Sequence, residues 1–237
     1  MDNNQTYEYP RGGFLTIEDI AKRARELFPV PEHYNKVLDD IYGEGQPRIE
    51  IKKEHKYKAS YDLHLGDEVA KSTRSEPISL ARNNGIITIE PGEFAQLHTH
   101  ELIHIPTDLM AFISLRFSYK KKGLINISGF HVDPGYNDHL VFSVYNAGSR
   151  PICLRYREAI FMIFYATLTQ RTPGEYNGPT PGPKFKSEDI ELLKGPALTL
   201  INLNNRLEKA ENQLKILIGL FIATIASAII AVISVFK

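Results

Sequence analysis

Residues 131–148 read HVDPGYNDHLVFSVYNAG: a turn signal, Asp133-Pro134-Gly135, an alternating run, HLVFSVYN, and a second turn signal opening at Asn146-Ala147-Gly148-Ser149. Strict alternation puts every second side chain on one face of a strand, and Pro-Gly or Asn-x-Gly breaks the chain where a strand cannot continue. The same grammar extends outward on both sides. SYDLHL (60–65), GIITIE (85–90), LINIS (124–128) and AIFMIFYATL (159–168) are short runs rich in β-branched or aromatic residues. Asn83-Asn84-Gly85, Pro91-Gly92 and Pro106-Thr107-Asp108 punctuate them. From Tyr57 to Thr169, short strands with turns every ~8–12 residues predict a mainly β fold, a sandwich or barrel.

Composition narrows the classes. The 237 residues carry 28 Lys+Arg and 28 Asp+Glu, so no bulk field of either sign draws in nucleic acid. Hydrophobic residues at 43% and charged residues at 24% fit a globular chain rather than a disordered one. The single cysteine, Cys153, cannot form an intrachain disulfide. Met1 to Pro10 are polar and lack the apolar core of a signal sequence. Together these predict a reducing, cytoplasmic setting for the domain. Cys153 is expected to be a small buried apolar residue rather than a nucleophile. No Walker loop, Rossmann glycine pattern or Ser-His-Asp signature occurs.

Both flanks of the β-rich stretch predict helix. After a flexible segment, 1–13, Thr16-Ile17-Glu18-Asp19-Ile20 opens an amphipathic helix to about Leu27, with Thr16 as cap and Asp19 at the capping-box position. Residues 171–196 are a Pro/Gly-rich tail and linker, in which Ser187 caps a short helix that Gly195-Pro196 stops. Residues 197–215 read as an amphipathic helix whose a/d seam, Leu200, Leu203, Leu207, Ala210 and Leu214, runs on to Leu217, suited to self-association or to docking as an ordinary amphipathic helix. Residues 216–236, ILIGLFIATIASAIIAVISVF, carry no charge. At ~1.5 Å per residue they match a hydrocarbon core of about 30 Å, and they are apolar all round, which a core helix is not. They are expected to be a single-pass C-terminal anchor, with Arg206, Lys209 and Lys215 holding the N-terminal domain in the cytoplasm. Gly219, Ala223, Ser227 and Ala231 add a small-residue stripe.

Four stretches carry a resemblance. LTIEDI (15–20) is similar to an opening helix motif, and SYDLHLGDE (60–68) to a first strand of Ser/Tyr-Asp-Leu-x-Leu-Gly type. LHTHELIHIPTDLMAFISLRFSYKKKGL (97–124) follows a pattern of strand, Leu-Pro-x-Asp-Leu turn and Arg-x-Ser helix ending in Gly-Leu. HVDPGYNDHLVFSVYNAG is similar to an Asp-Pro-Gly-Tyr/Trp strand ending in Tyr-Asn. In this order, over a domain spanning 14–170, they resemble the dCTP deaminase/dUTPase family; the apolar tail is outside that pattern. The resemblance implies a compact dUTPase-like β-barrel or jelly roll that forms a homotrimer, with active sites between subunits. It implies binding of deoxypyrimidine triphosphates with magnesium, and either deamination of dCTP or cleavage of dUTP between the α- and β-phosphates.

Carried over residue by residue, the resemblance is uneven. The glutamate that serves deamination as general base falls on Ser143, which cannot do that work. Phe117 stands where the family has serine, and Lys121 where it has a second arginine, keeping the charge without the fork. The Pro-Gly-x-x-Ile-x-Gln run becomes Tyr156-Arg157-Glu158-Ala159-Ile160-Phe161-Met162. Asp133 matches the carboxylate that activates water for dUTP hydrolysis, and Tyr136 an aromatic against the sugar. Arg116 and Ser118 match the phosphate-binding pair, and Tyr176, in Glu175-Tyr176-Asn177-Gly178, matches a tail that closes over the nucleotide. Each also has a plain reading: turn former for Asp133, barrel-edge packing for Tyr136, surface charge for Arg116, solvated face for Lys120 to Lys122. His98, His100 and His104 read as surface histidines before a partial metal site, and no metal is assigned to protein ligands. The expectation is a membrane-anchored nucleotide binder with deamination lost. The alternatives are an active dCTP deaminase or dUTP diphosphatase, and a ligand-sensing membrane effector.

Overall fold

A computed structural model describes residues 13–30, 58–80, 85–173, 185, 188 and 200–235. The chain divides into two units, Met1–Pro196 and Ala197–Lys237. The first is mainly β. Its strands are β1 (Tyr61–Lys71), β2 (Ile78–Ser79), β3 (Ile86–Ile89), β4 (Phe94–His104), β5 (Leu109–Leu115), β6 (Leu124–Asn126), β7 (His131–Val132), β8 (Asn137–Asn146), β9 (Ile152–Arg155) and β10 (Ala159–Thr167). Eight of them form one sheet, ordered β6-β8-β4-β1-β10-β5-β7 with β2 on β1, and β3 pairs β9 separately.

β1 holds the two halves of that sheet together. Tyr61 to His64 pair with β10, and Leu65 to Lys71 pair with β4, with register shifts at Leu63/His64 and between Leu65 and Val69. The bend falls at Gly66, whose missing Cβ would run into the His98 ring from β4. Inside, β8 and β10 meet across the core, where the Phe142 and Phe161 rings stack at 4.0 Å. Leu63, Leu65, Leu97, Ile103, Leu154 and Ile163 are sealed from solvent around them. On β8 the burial alternates through Leu140, Phe142, Val144 and Asn146, as the HLVFSVYN pattern predicts. Buried Asn146 is satisfied: its amide donates to Ile89 O (2.9 Å) and Arg150 O (3.0 Å) and its Oδ1 accepts from Gly148 N (3.0 Å).

The N-terminal helix forms, but in two pieces: α1 (Ile17–Lys22) and α2 (Ala24–Leu27), interrupted at Arg23. Thr16 caps α1 by accepting from Asp19 N at 3.3 Å, and the Asp19 carboxyl is held below its usual range, the hydrogen bonds from Thr16 and Lys22 outweighing the cost of burial. Arg23 is buried and forks onto Asp108 with contacts of 2.9 and 3.0 Å, tying the helix to the turn between β4 and β5. The segment before α1 also joins in: Phe14 bridges Ala166, and Gly13 N donates to Thr167 Oγ1 at 3.0 Å.

Cys153 corrects an expectation: it is exposed. β9 alternates buried and exposed from Ile152, so Ile152 and Leu154 fill the core and Cys153 faces out. The helix expected after Ser187 lies outside the described residues. In the second unit a 36-residue helix runs Leu200–Val235. Its stretch Arg206–Ile230, with mean hydropathy 2.1 and none of it buried, is long and apolar enough to cross a membrane.

Candidate functional site

Asp133 occupies the first position of a tight turn between β7 and β8. Tyr136 N donates to its carbonyl at 3.3 Å, Pro134 follows, and Gly135 takes φ +86°, the geometry of a type II turn. The Asp133 side chain is 63% exposed, with Oδ1 3.7 Å from His131 Nε2. Tyr136 packs against the core while its hydroxyl donates to His139 O at 2.8 Å, so the ring is fixed rather than swinging.

The cationic residues gather at the opposite end of β5. Arg116 leaves the strand extended and begins the helical turn Phe117–Lys120, where Tyr119 N and Lys120 N donate back to its carbonyl. Its guanidinium donates to Ala159 O (3.2 Å) and lies 3.8 Å from Asp62 Oδ2. Ser118 and Lys121 are exposed on the same turn, and Lys120 Nζ donates to Ser114 Oγ at 2.6 Å. Tyr119 is buried beneath; desolvation and a hydrogen bond to Glu158 push its hydroxyl far above the ordinary tyrosine range.

These two ends are not together in one chain. Ala111 pairs with Val132, which sets Asp133 beside Met110, six positions from Arg116 along β5. At ~3.4 Å per residue that separates them by roughly 20 Å. Ser143 sits half-buried on β8 opposite Gln96, with Asn126 paired to the next residue, Val144. None of these three side chains takes a proton near neutral pH. Tyr176 lies outside the described residues. Among the described residues no three His, Cys, Asp or Glu side chains converge as a metal site. His98 is buried beside Phe185, His100 is exposed, and β4 is irregular between His98 and Leu102, so simple alternation fails there. Desolvation holds the His104 ring, and the His100 ring where it packs against Tyr156, below the usual imidazole range, with Arg157 assisting at His100.

Sequence reading missed Asp62, His64 and Glu101, which crowd the Arg116 end. The Glu101 carboxylate accepts from His64 N (3.0 Å) and from the His64 ring Nδ1 (2.5 Å). Asp62 also takes Lys58 Nζ at 3.1 Å. SYDLHL offered one usable signal: Asp62 and His64, two apart, share the outward face of an alternating strand. A groove of about 530 Å³ lined by Lys71, Arg74, Ser79 and Glu90 lies at the far end of β1 and holds none of the site residues.

The profile of the dCTP deaminase-like family (DCD) matches residues 36–168, more than half of the chain. The chain belongs to the dCTP deaminase-like family. The dCTP deaminase of Pyrococcus furiosus is 34% identical over 126 residues, 52% of this chain and 78% of that protein. The dUMP-forming dCTP deaminase of Methanothermobacter thermautotrophicus is 31% identical over 103 residues, 43% of this chain and 52% of that one. Among solved structures, the 2'-deoxycytidine 5'-triphosphate deaminase of Agrobacterium tumefaciens is similar with a TM-score of 0.48 and 14% identity, over 67% of this chain and 50% of that one. The chain thus spans about half the length of the last two proteins, 52% and 50%.

Proposed function

We propose that this family member is a membrane-anchored binder of a deoxypyrimidine nucleotide or related phosphorylated ligand, and that it has lost deamination. Ser143 carries the reading. A water cannot be activated for attack on the pyrimidine by a serine whose neighbours in register are Gln96 and the residue beside Asn126. Phosphate recognition is better supported. Arg116 and Ser118 stand at the start of an exposed turn with Lys121 at its end, a cationic rim suited to a polyphosphate.

The ~20 Å between Arg116 and Asp133 supports a site shared between copies, one supplying Arg116, Ser118 and Lys121, another Asp133 and Tyr136. A homotrimer is the assembly in keeping with the family, and Tyr176 would close over the ligand. Magnesium fits as the ligand's companion. Asp62 is already neutralised by Lys58 and Arg116, leaving exposed Asp133 as the carboxylate open to it, so phosphate oxygens and water would supply most ligands. The apolar helix would span the membrane once, with the barrel on the cytoplasmic side.

The test is incubation of the full chain in detergent with dCTP and dUTP plus magnesium, following products by chromatography and melting by fluorimetry. The expected result is a nucleotide-dependent rise in melting temperature, no product that has lost the amino group, and loss of the rise in Arg116→Ala. Appearance of a uridine nucleotide from dCTP would overturn the loss of deamination. A second reading rests on the exposure of Asp133: release of dUMP from dUTP, abolished by Asp133→Ala, would make the protein a diphosphatase. A nucleotide-dependent leak from vesicles would instead make the helix an effector.

A further inference from the structure

We propose that the imidazole of His64, clamped by Glu101 and facing Arg116 across Ala159, is a proton-dependent anion-binding group, so that a polyphosphate binds the Arg116 patch more tightly when His64 is charged. This rests on the reading of Arg116 as a phosphate binder and adds the regulation of that site.

The placement follows from register. His64 pairs with Ala159, and the carbonyl of Ala159 accepts from Arg116 Nη1 at 3.2 Å, so both cationic side chains flank one residue of β10. Asp62, two positions back on the outward face, pairs with Met162, which pairs in turn with Ser114, the residue that holds Lys120. Lys58, Arg116, Lys120 and a protonated His64 therefore surround two carboxylates, Asp62 and Glu101. Loss of the His64 proton halves the local excess of positive charge from two to one, a large change for a ligand with several negative charges.

Glu101 does two things at once. It satisfies the His64 backbone N–H that the register shift at Leu63/His64 releases from the ladder, and it occupies Nδ1, leaving Nε2–H as the donor toward a ligand. The groups facing His64 are Tyr61 and Asp62 from β1, Glu101 and His100 from β4, and Arg116 from the end of β5, with the buried Tyr165 hydroxyl of β10 behind Glu101. The hydrogen bond from Glu101 raises the His64 pKa above its ordinary 6.5. Burial and Arg116 oppose that rise, and Asp62 assists it. The imidazolium thus persists to higher pH than that of an ordinary histidine and is lost as pH climbs through the raised value, and tight binding goes with it.

The experiment uses the full chain in detergent and inorganic triphosphate as probe, with calorimetry at pH 6 and pH 8 on wild type, His64→Gln, Glu101→Gln and Arg116→Ala. Wild type should bind about fivefold more tightly than His64→Gln at pH 6, and by a smaller factor at pH 8. Glu101→Gln should move the change to lower pH. Equal affinities of wild type and His64→Gln at pH 6 would overturn the proposal. If Arg116→Ala then still abolishes binding, the phosphate reading survives alone; if it too changes nothing, or the probe does not bind, both fall. A readout without substitution guards against a folding defect: by linkage, the probe must raise the pH at which the His64 ring titrates by NMR. An unmoved titration sinks the idea.

Discussion

Gly66 shows how one residue's smallness sets a larger geometry. The His98 ring lies over its Cα, buried and donating from Nδ1 to Thr99 O at 2.8 Å, while Nε2 accepts from Glu68 N at 3.2 Å. Both ring nitrogens are therefore engaged, and the ring cannot retreat without breaking a bond to the backbone. Gly66→Ala is expected to cost about 2 kcal/mol, seen as a lower denaturation midpoint, by forcing β1 away from β4. A midpoint unchanged from wild type would show that the ring yields freely. The sequence displayed Gly66 within SYDLHLGDE, but nothing in it said which side chain needed the space. The same holds for Glu101, whose partner His64 is 37 residues away. Asp133 was easier to read, since Asp-Pro-Gly fixes its own turn.

At the scale of elements, the strand pattern was legible because alternation and turn residues are local. β8 and β10 fall where the runs HLVFSVYN and AIFMIFYATL predict. What was not legible was interruption. β4 shifts register between His98 and Leu102, and α1 stops at Arg23, whose guanidinium is drawn to Asp108, 85 residues on. The turn before β10 stores strain of another kind. Arg157 takes φ +59°, in the left-handed region that favours glycine. Its N–H donates to Leu65 O at 2.9 Å, and its guanidinium lies 5.3 Å from the Tyr156 ring centre, so the turn is held from both sides. Arg157→Gly should stabilise the domain by about 0.5–1 kcal/mol, the relief of the Cβ clash exceeding the lost ring contact and added chain entropy. Thermal denaturation of the pair decides it; a lower midpoint for the variant would mean that the ring contact outweighs the strain.

At the scale of the whole molecule the described residues comprise a β domain and a 36-residue helix, Leu200–Val235. The helix exposes Ile216, Ile218, Leu220, Phe221, Ile222 and Ile230, on every side. Such a surface is stable in hydrocarbon and not in water. The chain is expected in the membrane fraction after cell lysis, resistant to alkaline extraction. The double substitution Ile222→Asp and Ile229→Arg, at about 2.5–3.5 kcal/mol of insertion cost per charge, should move it to the supernatant. Recovery of both forms in the supernatant would remove the anchor from the functional reading.

The sequence by itself determined the β-rich class, the family, the turn at Asp133 and the apolar helix, because each is written in neighbouring residues: alternation, Asp-Pro-Gly, an uncharged run of 21 residues from 216 to 236. Only the tertiary structure decided that Cys153 faces outward, that Arg23 reaches Asp108, that Arg116 stands far from Asp133, that Asp62 lies beside Arg116, and that Glu101 clamps His64. Those relations join strands distant in the chain, and a single register shift in β1 or β4 turns a side chain to the other face. Register is fixed by the packed core as a whole, which no local stretch of sequence contains.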